Sequence, residues 1–355
     1  MVVDWTQDTT RRVIALGGHA STNGHQYIRL ARWRMEEGAI EQGILEVDTS
    51  RFVFDSIGSA SFANEWSIAP YGVGDDAALV LARSSGNDAD PRLLMYKVDL
   101  NDFSSPSLVL DASDADWGGI TSAALSDQGA SVLPTSARWT WHPLESQNFL
   151  SPLGTASPGG AFFGPAAAGP HLFVSEYSPT SGTKVQSFDT RQPTQQPTDF
   201  LSYPTLDQGS ACCVLTNGTR LLWYEAHNHL GDQRYEDVSL MSSPYSADPT
   251  QLVPARLRGA FKDTVYVGGG VIGANYAVHV EKRTDVTEAV YILTRLSDGA
   301  YWTVANRPGR AYRSVLYVND DELALEEVNT EVFAQSSWAV VRVRIDSLGS
   351  PTMAD

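Results

Sequence analysis

The stretch "LLMYKVDLNDFSSPSLVLDAS", Leu93 to Ser113, decides the fold. Two short runs of alternating apolar residues flank a polar segment with Ser-Ser-Pro at its centre, the pattern of two half-buried antiparallel strands and their turn. The same arrangement, an apolar run ending in Asp, a polar turn and a further apolar run, recurs at 44–56 ("ILEVDTSRFVFDS") and 185–202 ("VQSFDTRQPTQQPTDFLS"). Weaker copies lie at 234–253, 289–305 and 339–353. With Asp48, Asp99, Asp189, Ser239, Arg295 and Asp346 as markers, the steps are 51, 90, 50, 56 and 51 residues. The step of 90 is a double one, and "RWTWHPLESQNFLSPL" (138–153) lies in its middle. A period of roughly 50 residues repeated along a whole chain marks a solenoid or a propeller.

Each period holds a second hairpin upstream of the first, as in "WSIAPYGVGDDAALVLARS" (66–84), "ITSAALSDQGASVLPT" (120–135), "SACCVLTNGTRLLWYEA" (210–226) and "SVLYVNDDELALEEV" (314–328). The turns Asp-Gln-Gly, Thr-Asn-Gly and Asn-Asp-Asp use residues that accept positive φ or bond their own backbone. Four antiparallel strands per unit make one propeller blade. The expectation is therefore an all-β chain, a single seven-bladed β-propeller over 1–355, with six or eight blades as the neighbouring alternatives. Approximate blades are 11–57, 58–113, 114–155, 156–204, 205–254, 255–306 and 307–355. "ITSAALSDQGASVLP" and the apolar-Asp ending of the third strands resemble the TolB-like and WD-repeat class of β-propellers, although the Gly-His and Trp-Asp dipeptides of true WD repeats do not recur with the period. "VVDWT" (2–6) is left outside the first unit and the last unit has three clear strands, so residues 2–6 are expected to close the last blade as its outer strand. The C-terminal "SPTMAD" is the alternative occupant of that place.

The chain carries 42 acidic and 25 basic residues, a net charge of -17 that opposes non-specific binding to nucleic acid or to an anionic membrane surface. The opening "MVVDWTQDTT" lacks the features of a secretory signal, and the longest apolar run, Ala161 to Val174, is broken by Pro and Gly, so no membrane insertion is expected. The expected location is the cytoplasm or a larger particle. Cys212 and Cys213 are adjacent, and neighbours on a regular strand point to opposite faces, which argues against a structural disulfide between them.

Links between blades and loops joining second to third strands share one face of a propeller, and that face is where ligand residues are sought. Arg11, Arg12, Arg256, Arg258, Lys262, Arg307, Arg310 and Arg313 fall in three links that ring closure would bring together. Such a cluster suits a carboxylate, sulfate or phosphate, with Trp66 and Trp117 offering stacking surfaces. Arginines in links also tie neighbouring blades through carbonyls or aspartates, among them Asp114, Asp207 and Asp263. A second candidate is "EAHNHLGDQ" (225–233), where His227 and His229 at i and i+2 on extended chain point the same way. A divalent metal there would draw on Glu225, Asp232 or Gln233 to complete its shell. No other cofactor is implied.

"GGGVIG" (268–273) matches a dinucleotide fingerprint at Gly268, Gly270 and Gly273, but a strand pattern follows it rather than a helix, so a bulge or wide turn is expected. "SGTK" (181–184) is read as a turn, and no G-x-S-x-G elbow is present. Two readings of function result. The first is a non-enzymatic binding or scaffold propeller that recognises a protein partner, an acidic glycan or an anionic small molecule, as in a structural or receptor-binding component of a phage tail. The second is a lyase or hydrolase of acidic polysaccharide with a metal at His227 and His229.

Overall fold

The computed structural model describes residues 2–4, 11–17, 26–34, 39–47, 67–70, 78–83, 92–98, 107–113, 122–125, 129–135, 138–143, 153–180, 182–205, 209–229, 235–246, 248–259, 264–283, 290–329 and 338–354. Within them the chain forms strands almost throughout, arranged in seven sheets. The first sheet is β1 (Val2–Asp4), β2 (Arg11–Gly17), β3 (Gln26–Arg34) and β4 (Ala39–Val47); the second is β5 (Ser67–Pro70), β6 (Ala78–Arg83), β7 (Arg92–Val98) and β8 (Ser107–Ser113). The third is β9 (Ser122–Leu125), β10 (Gly129–Thr135), β11 (Arg138–Pro143) and β12 (Gly154–Thr155); the fourth is β13 (Ala161–Ala168), β14 (His171–Ser178), β15 (Gly182–Asp189) and β16 (Thr198–Tyr203). The fifth is β17 (Ser210–Thr216), β18 (Arg220–His229), β19 (Tyr235–Pro244) and β20 (Ala255–Gly259); the sixth is β21 (Thr264–Ile272), β22 (Tyr276–Arg283), β23 (Val290–Arg295) and β24 (Tyr301–Val304). The seventh has three strands among the described residues, β25 (Arg310–Val318), β26 (Glu322–Asn329) and β27 (Trp338–Arg344).

Within every sheet the strands lie side by side in sequence order. Leu93 to Ser113 forms the β7–β8 pair, antiparallel from Arg92↔Ser113 to Lys97↔Ser107 with an irregularity between Met95 and Tyr96. The upstream hairpins also form. Asn217 Oδ1 accepts from the backbone N–H groups of Thr219 and Arg220 at 3.1 and 2.9 Å, and Gly218 takes φ 82°. Asn319 Oδ1 does the same for Asp321 and Glu322 at 3.0 and 2.8 Å. In each turn the Asn side chain satisfies donors that the reversing chain would leave open. Gly268 and Gly270 sit at a register shift in β21 and lead into strand β22, as expected for "GGGVIG".

By compactness the chain divides into two units, Met1–Leu172 with Phe188–Pro197, and Phe173–Ser187 with Thr198–Asp355. In the first unit the leading strands are neighbours in order, β1 beside β5, β5 beside β9 and β9 beside β13. Its described core centres on Trp139, fully buried, with Phe188 edge-on at 6.5 Å and Phe162 tilted at 6.4 Å. Trp139 Nε1 donates to Ser131 Oγ at 2.8 Å, so the indole buries its ring without stranding its donor. In the second unit β17 lies beside β21 and β21 beside β25. Leu222, Tyr224, Leu240, Ala277 and Leu296 form one core cluster there. Val278, Tyr291, Leu293, Trp302, Tyr312, Leu323, Leu325 and Ile345 belong to a second. Each apolar side chain fully withdrawn from water contributes about 1.5–3 kcal/mol before entropy is charged against it.

Two expectations about the chain ends are corrected. β1 pairs with β2 through Val2↔Ile14, Val3↔Val13 and Asp4↔Arg12, so the N-terminal strand leads the first sheet and does not close the last one. Six residues separate β1 from β2, and a connection that short costs little closure entropy. The C-terminal tail does not supply a fourth strand to the seventh sheet. After a 3-10 turn, Ile345–Leu348, it crosses to the sixth, where Thr352 and Tyr301 exchange backbone hydrogen bonds of 2.8 and 2.9 Å. Trp302 Nε1 also donates to the Gly349 carbonyl at 2.9 Å.

Candidate functional site

The second strands of four successive sheets carry a glutamate at the same place. Glu176 is the sixth residue of β14, Glu225 of β18, Glu281 of β22 and Glu327 of β26. Glu281 and Glu327 are wholly buried and Glu176 nearly so. A buried carboxylate needs a cation or several donors to remain ionised, and each of the four has them.

Glu176 receives Lys184 of β15 at 3.2 Å, and the same ammonium lies 3.4 Å from Asp199 of β16. Burial pulls the Lys184 pKa down, but the bond and charge of Glu176, aided by Asp199, outweigh it and leave the group above its ordinary value. Glu327 takes Arg307 in a two-pronged contact, with Nε to Oε1 at 2.7 Å and Nη2 to Oε2, while Arg310 Nε lies 3.9 Å away. The Arg307 pKa is raised by that hydrogen bond and by the Glu327 charge. Glu281 takes the buried guanidinium of Arg258, whose Nη1 also donates to the Gly259 carbonyl at 2.7 Å. His279 Nε2 is 3.1 Å from Glu281 Oε1 and 3.2 Å from Arg258 Nη2, and the guanidinium stacks over the Tyr301 ring at 4.6 Å. Burial, then the Arg258 charge, hold the His279 pKa well below its ordinary range.

Glu225 is the member of the series that reaches solvent. His227 Nε2 lies 2.8 Å from Glu225 Oε1, Trp223 Nε1 donates to Oε2 at 3.3 Å, and the Tyr203 hydroxyl bonds the same carboxylate. Burial, then the bond and charge of Glu225, raise the Tyr203 pKa. The His227 side chain is 39% exposed and Tyr203 meets its ring edge-on at 6.0 Å. Gly209 leaves room for both rings: a Cβ there would lie 2.8 Å from Tyr203 Cδ1 and 3.0 Å from His227 Nδ1. The result is an imidazole oriented by a carboxylate, with part of its side chain exposed.

The structure places the expected site residues differently from the sequence reading. Glu225, His227 and His229 lie on β18, with His227↔Asp237 and His229↔Tyr235 in register with β19, and not in a loop. The alternation of "RLLWYEAHNH" carries the strand to its end. Arg256 and Arg258 lie on β20, the fourth strand of the fifth sheet, and not in a link. Arg256 is exposed and, with Arg220, Ser242 and Asp298, lines a surface cavity of about 250 Å³. Arg307 precedes β25, which Arg310 begins and which contains Arg313. Arg11 and Arg12 lie on β2. Trp66, Trp117 and Lys262 fall outside the described residues. Among the described side chains, no three of His, Cys, Asp or Glu gather as a metal site. Sequence reasoning missed the glutamates, although their equal offset within successive second strands was visible once strand starts were known.

No protein-family model and no curated protein matches the chain. Solved structures do. Puromycin hydrolase aligns over 99% of this chain and 52% of its own length, with TM-score 0.58 and 13% identity. The β-propeller domain of the Trilobed protease from Pyrococcus furiosus, which has an open velcro topology, aligns over 96% of both chains with TM-score 0.55 and 9% identity. An acylaminoacyl peptidase aligns over 90% of this chain and 48% of its own, with TM-score 0.54 and 10% identity. The fold is of the β-propeller type. At these identities the likeness is one of fold, and it extends to propellers in general rather than to the TolB-like or WD-repeat class. The chain spans about half the length of puromycin hydrolase and of the acylaminoacyl peptidase. The expectation of a non-enzymatic binding or scaffold propeller is corrected by these likenesses, since puromycin hydrolase, the Trilobed protease and the acylaminoacyl peptidase share the fold. Among the described residues no helix is long and apolar enough to cross a membrane.

Proposed function

We propose that this chain is the propeller part of a peptidase-type hydrolase, with each of its seven sheets acting as one blade, and that its task is to govern which peptides reach a hydrolytic centre supplied outside these residues. The observation that carries this reading is the coverage: nearly all of this chain aligns with about half of puromycin hydrolase and of prolyl endopeptidase, at TM-scores of 0.58 and 0.54. The chemistry agrees with a division of labour. The sequence has no G-x-S-x-G elbow, and most of the buried glutamates are held by cations in a way that serves rigidity. A rigid propeller restricts access by size without needing a reactive group of its own.

The test is to tag the protein at its chromosomal locus, purify it from its own cells, and treat the preparation with a fluorophosphonate probe and with peptidyl arylamides. A labelled hydrolase, in the same chain or bound to it, together with arylamide cleavage is the expected result. A preparation with neither label nor cleavage overturns the reading.

A further inference from the structure

Cys212 and Cys213 do not point to opposite faces. Cys213 has φ 62°, the one positive φ outside glycine among the described residues, and the register of β17 on β18 shifts between Cys212 and Leu215. A left-handed residue inside a strand costs about 1–2 kcal/mol, and here it turns the second thiol back onto the first. The two thiols are hydrogen-bonded to each other, both are reduced, and both are half-buried against Leu222, Tyr224 and Leu240. The Cys213 N–H donates to Ser175 Oγ at 3.2 Å, which helps to hold the turned-back backbone.

Tyr224 stands opposite Cys212 in the β17–β18 register. It is 4% exposed, and its hydroxyl has no hydrogen-bond partner among the described residues. Its pKa is pushed up by burial, with Arg258 opposing and the two sulfurs adding to the rise. An unused donor next to two sulfurs is suited to a thiolate, the species through which disulfide exchange passes.

We infer that Cys212 and Cys213 form a vicinal dithiol that closes reversibly to an eight-membered disulfide ring on reaction with a low-molecular-weight disulfide. The bond to Cys213, then burial, push the pKa of the Cys212 thiol up, and Cys213 is taken as the first nucleophile. The Cys213 thiolate attacks one sulfur of the small disulfide and expels the other as a thiolate. The Cys212 sulfur then attacks Cys213 of the mixed disulfide and expels the second small thiolate. Two protons leave the protein thiols and are taken up by the two small thiols; the protein is oxidised by two electrons and the small disulfide is reduced by two. Adjacent Cα atoms are about 3.8 Å apart across a trans peptide, against roughly 4.4–6.8 Å in an ordinary disulfide, so the ring is strained and easily reduced. It is therefore a switch rather than a staple.

The experiment incubates the folded full chain with oxidised glutathione, alkylates the remaining thiols, and measures the mass of tryptic peptide Gln192–Arg220, which contains both cysteines. The expected product has lost two hydrogens, carries neither glutathione nor alkyl group, and regains two alkylatable thiols after dithiothreitol. Cys213→Gly, which tolerates the same φ, should instead accumulate one glutathione on Cys212. The guanidinium-unfolded chain should yield glutathione adducts in place of the ring. Persistent adducts on the folded wild-type protein, two thiols that remain alkylatable, or equal ring yield from folded and unfolded chains would each overturn the inference.

Discussion

Arg258 and Glu281 show what a single pair contributes here, since neither side chain is more than 2% exposed. Removing one partner leaves an uncompensated buried charge, which costs about 3–5 kcal/mol, whereas replacing both by apolar groups of similar volume is often neutral or better. Arg258→Ala should therefore lower the urea midpoint sharply, and Arg258→Met with Glu281→Leu should recover most of the loss; equal losses in the two variants would mean that packing around the guanidinium decides. His279 beside them sets a pH dependence. Its folded pKa lies below its ordinary value of 6.5, so the unfolded chain binds the proton more readily. The stability it contributes is present above about pH 6.5 and is lost as pH falls below that value toward the folded pKa. Burial, with Arg191 adding and Asp189 opposing, also lowers His171, so two histidines act in the same direction. Urea midpoints measured between pH 7.5 and 5 should fall, and His279→Gln should flatten part of that slope. Little of this was legible beforehand: Arg258 stood out as a cation in an acidic chain, but Glu281 is 23 residues away on the next sheet and only the folded chain joins the two side chains.

Elements were far more legible than contacts between them. "TNG" and "NDD" named their hairpins because Asn must satisfy the turn donors locally, and that chemistry depends on no distant residue. The places of β1 and of the tail depend on which sheet edge is open, and sequence patterning does not encode that. The tail offers a direct check. Truncation after Leu348 removes the Tyr301–Thr352 pair of backbone bonds and the acceptor of Trp302 Nε1. At about 0.5–1.5 kcal/mol for each bond, the melting temperature should drop by several degrees while strand content by circular dichroism stays unchanged. Gly270 tests the bulge in β21. A Cβ there would lie 2.5 Å from the Val278 carbonyl oxygen, a backbone atom that cannot swing aside, and 3.0 Å from Leu215 Cδ1. Gly270→Ala should cost about 1–3 kcal/mol, the usual penalty of overpacking, read as a lower urea midpoint. An unchanged midpoint would show that β21 and β22 can separate at the bulge without loss.

For the whole molecule, charge sets two opposing terms. The excess of 42 acidic over 25 basic residues makes the average interaction between surface charges repulsive. Exposed pairs such as Arg344–Asp346 and Arg295–Asp298 oppose it, but such pairs contribute little and salt weakens them. The Arg258–Glu281 pair, buried on both sides, is screened far less. Added sodium chloride therefore removes more repulsion than attraction, because what it reaches is the surface and the surface is net negative. The melting temperature should rise between 20 mM and 500 mM salt, and the Arg258→Ala deficit should persist across that range, since its origin is not exposed to the ions. A melting temperature that falls with salt would instead assign the stability of this propeller to its surface pairs, and the buried glutamate series would then be a consequence of the fold rather than one of its supports.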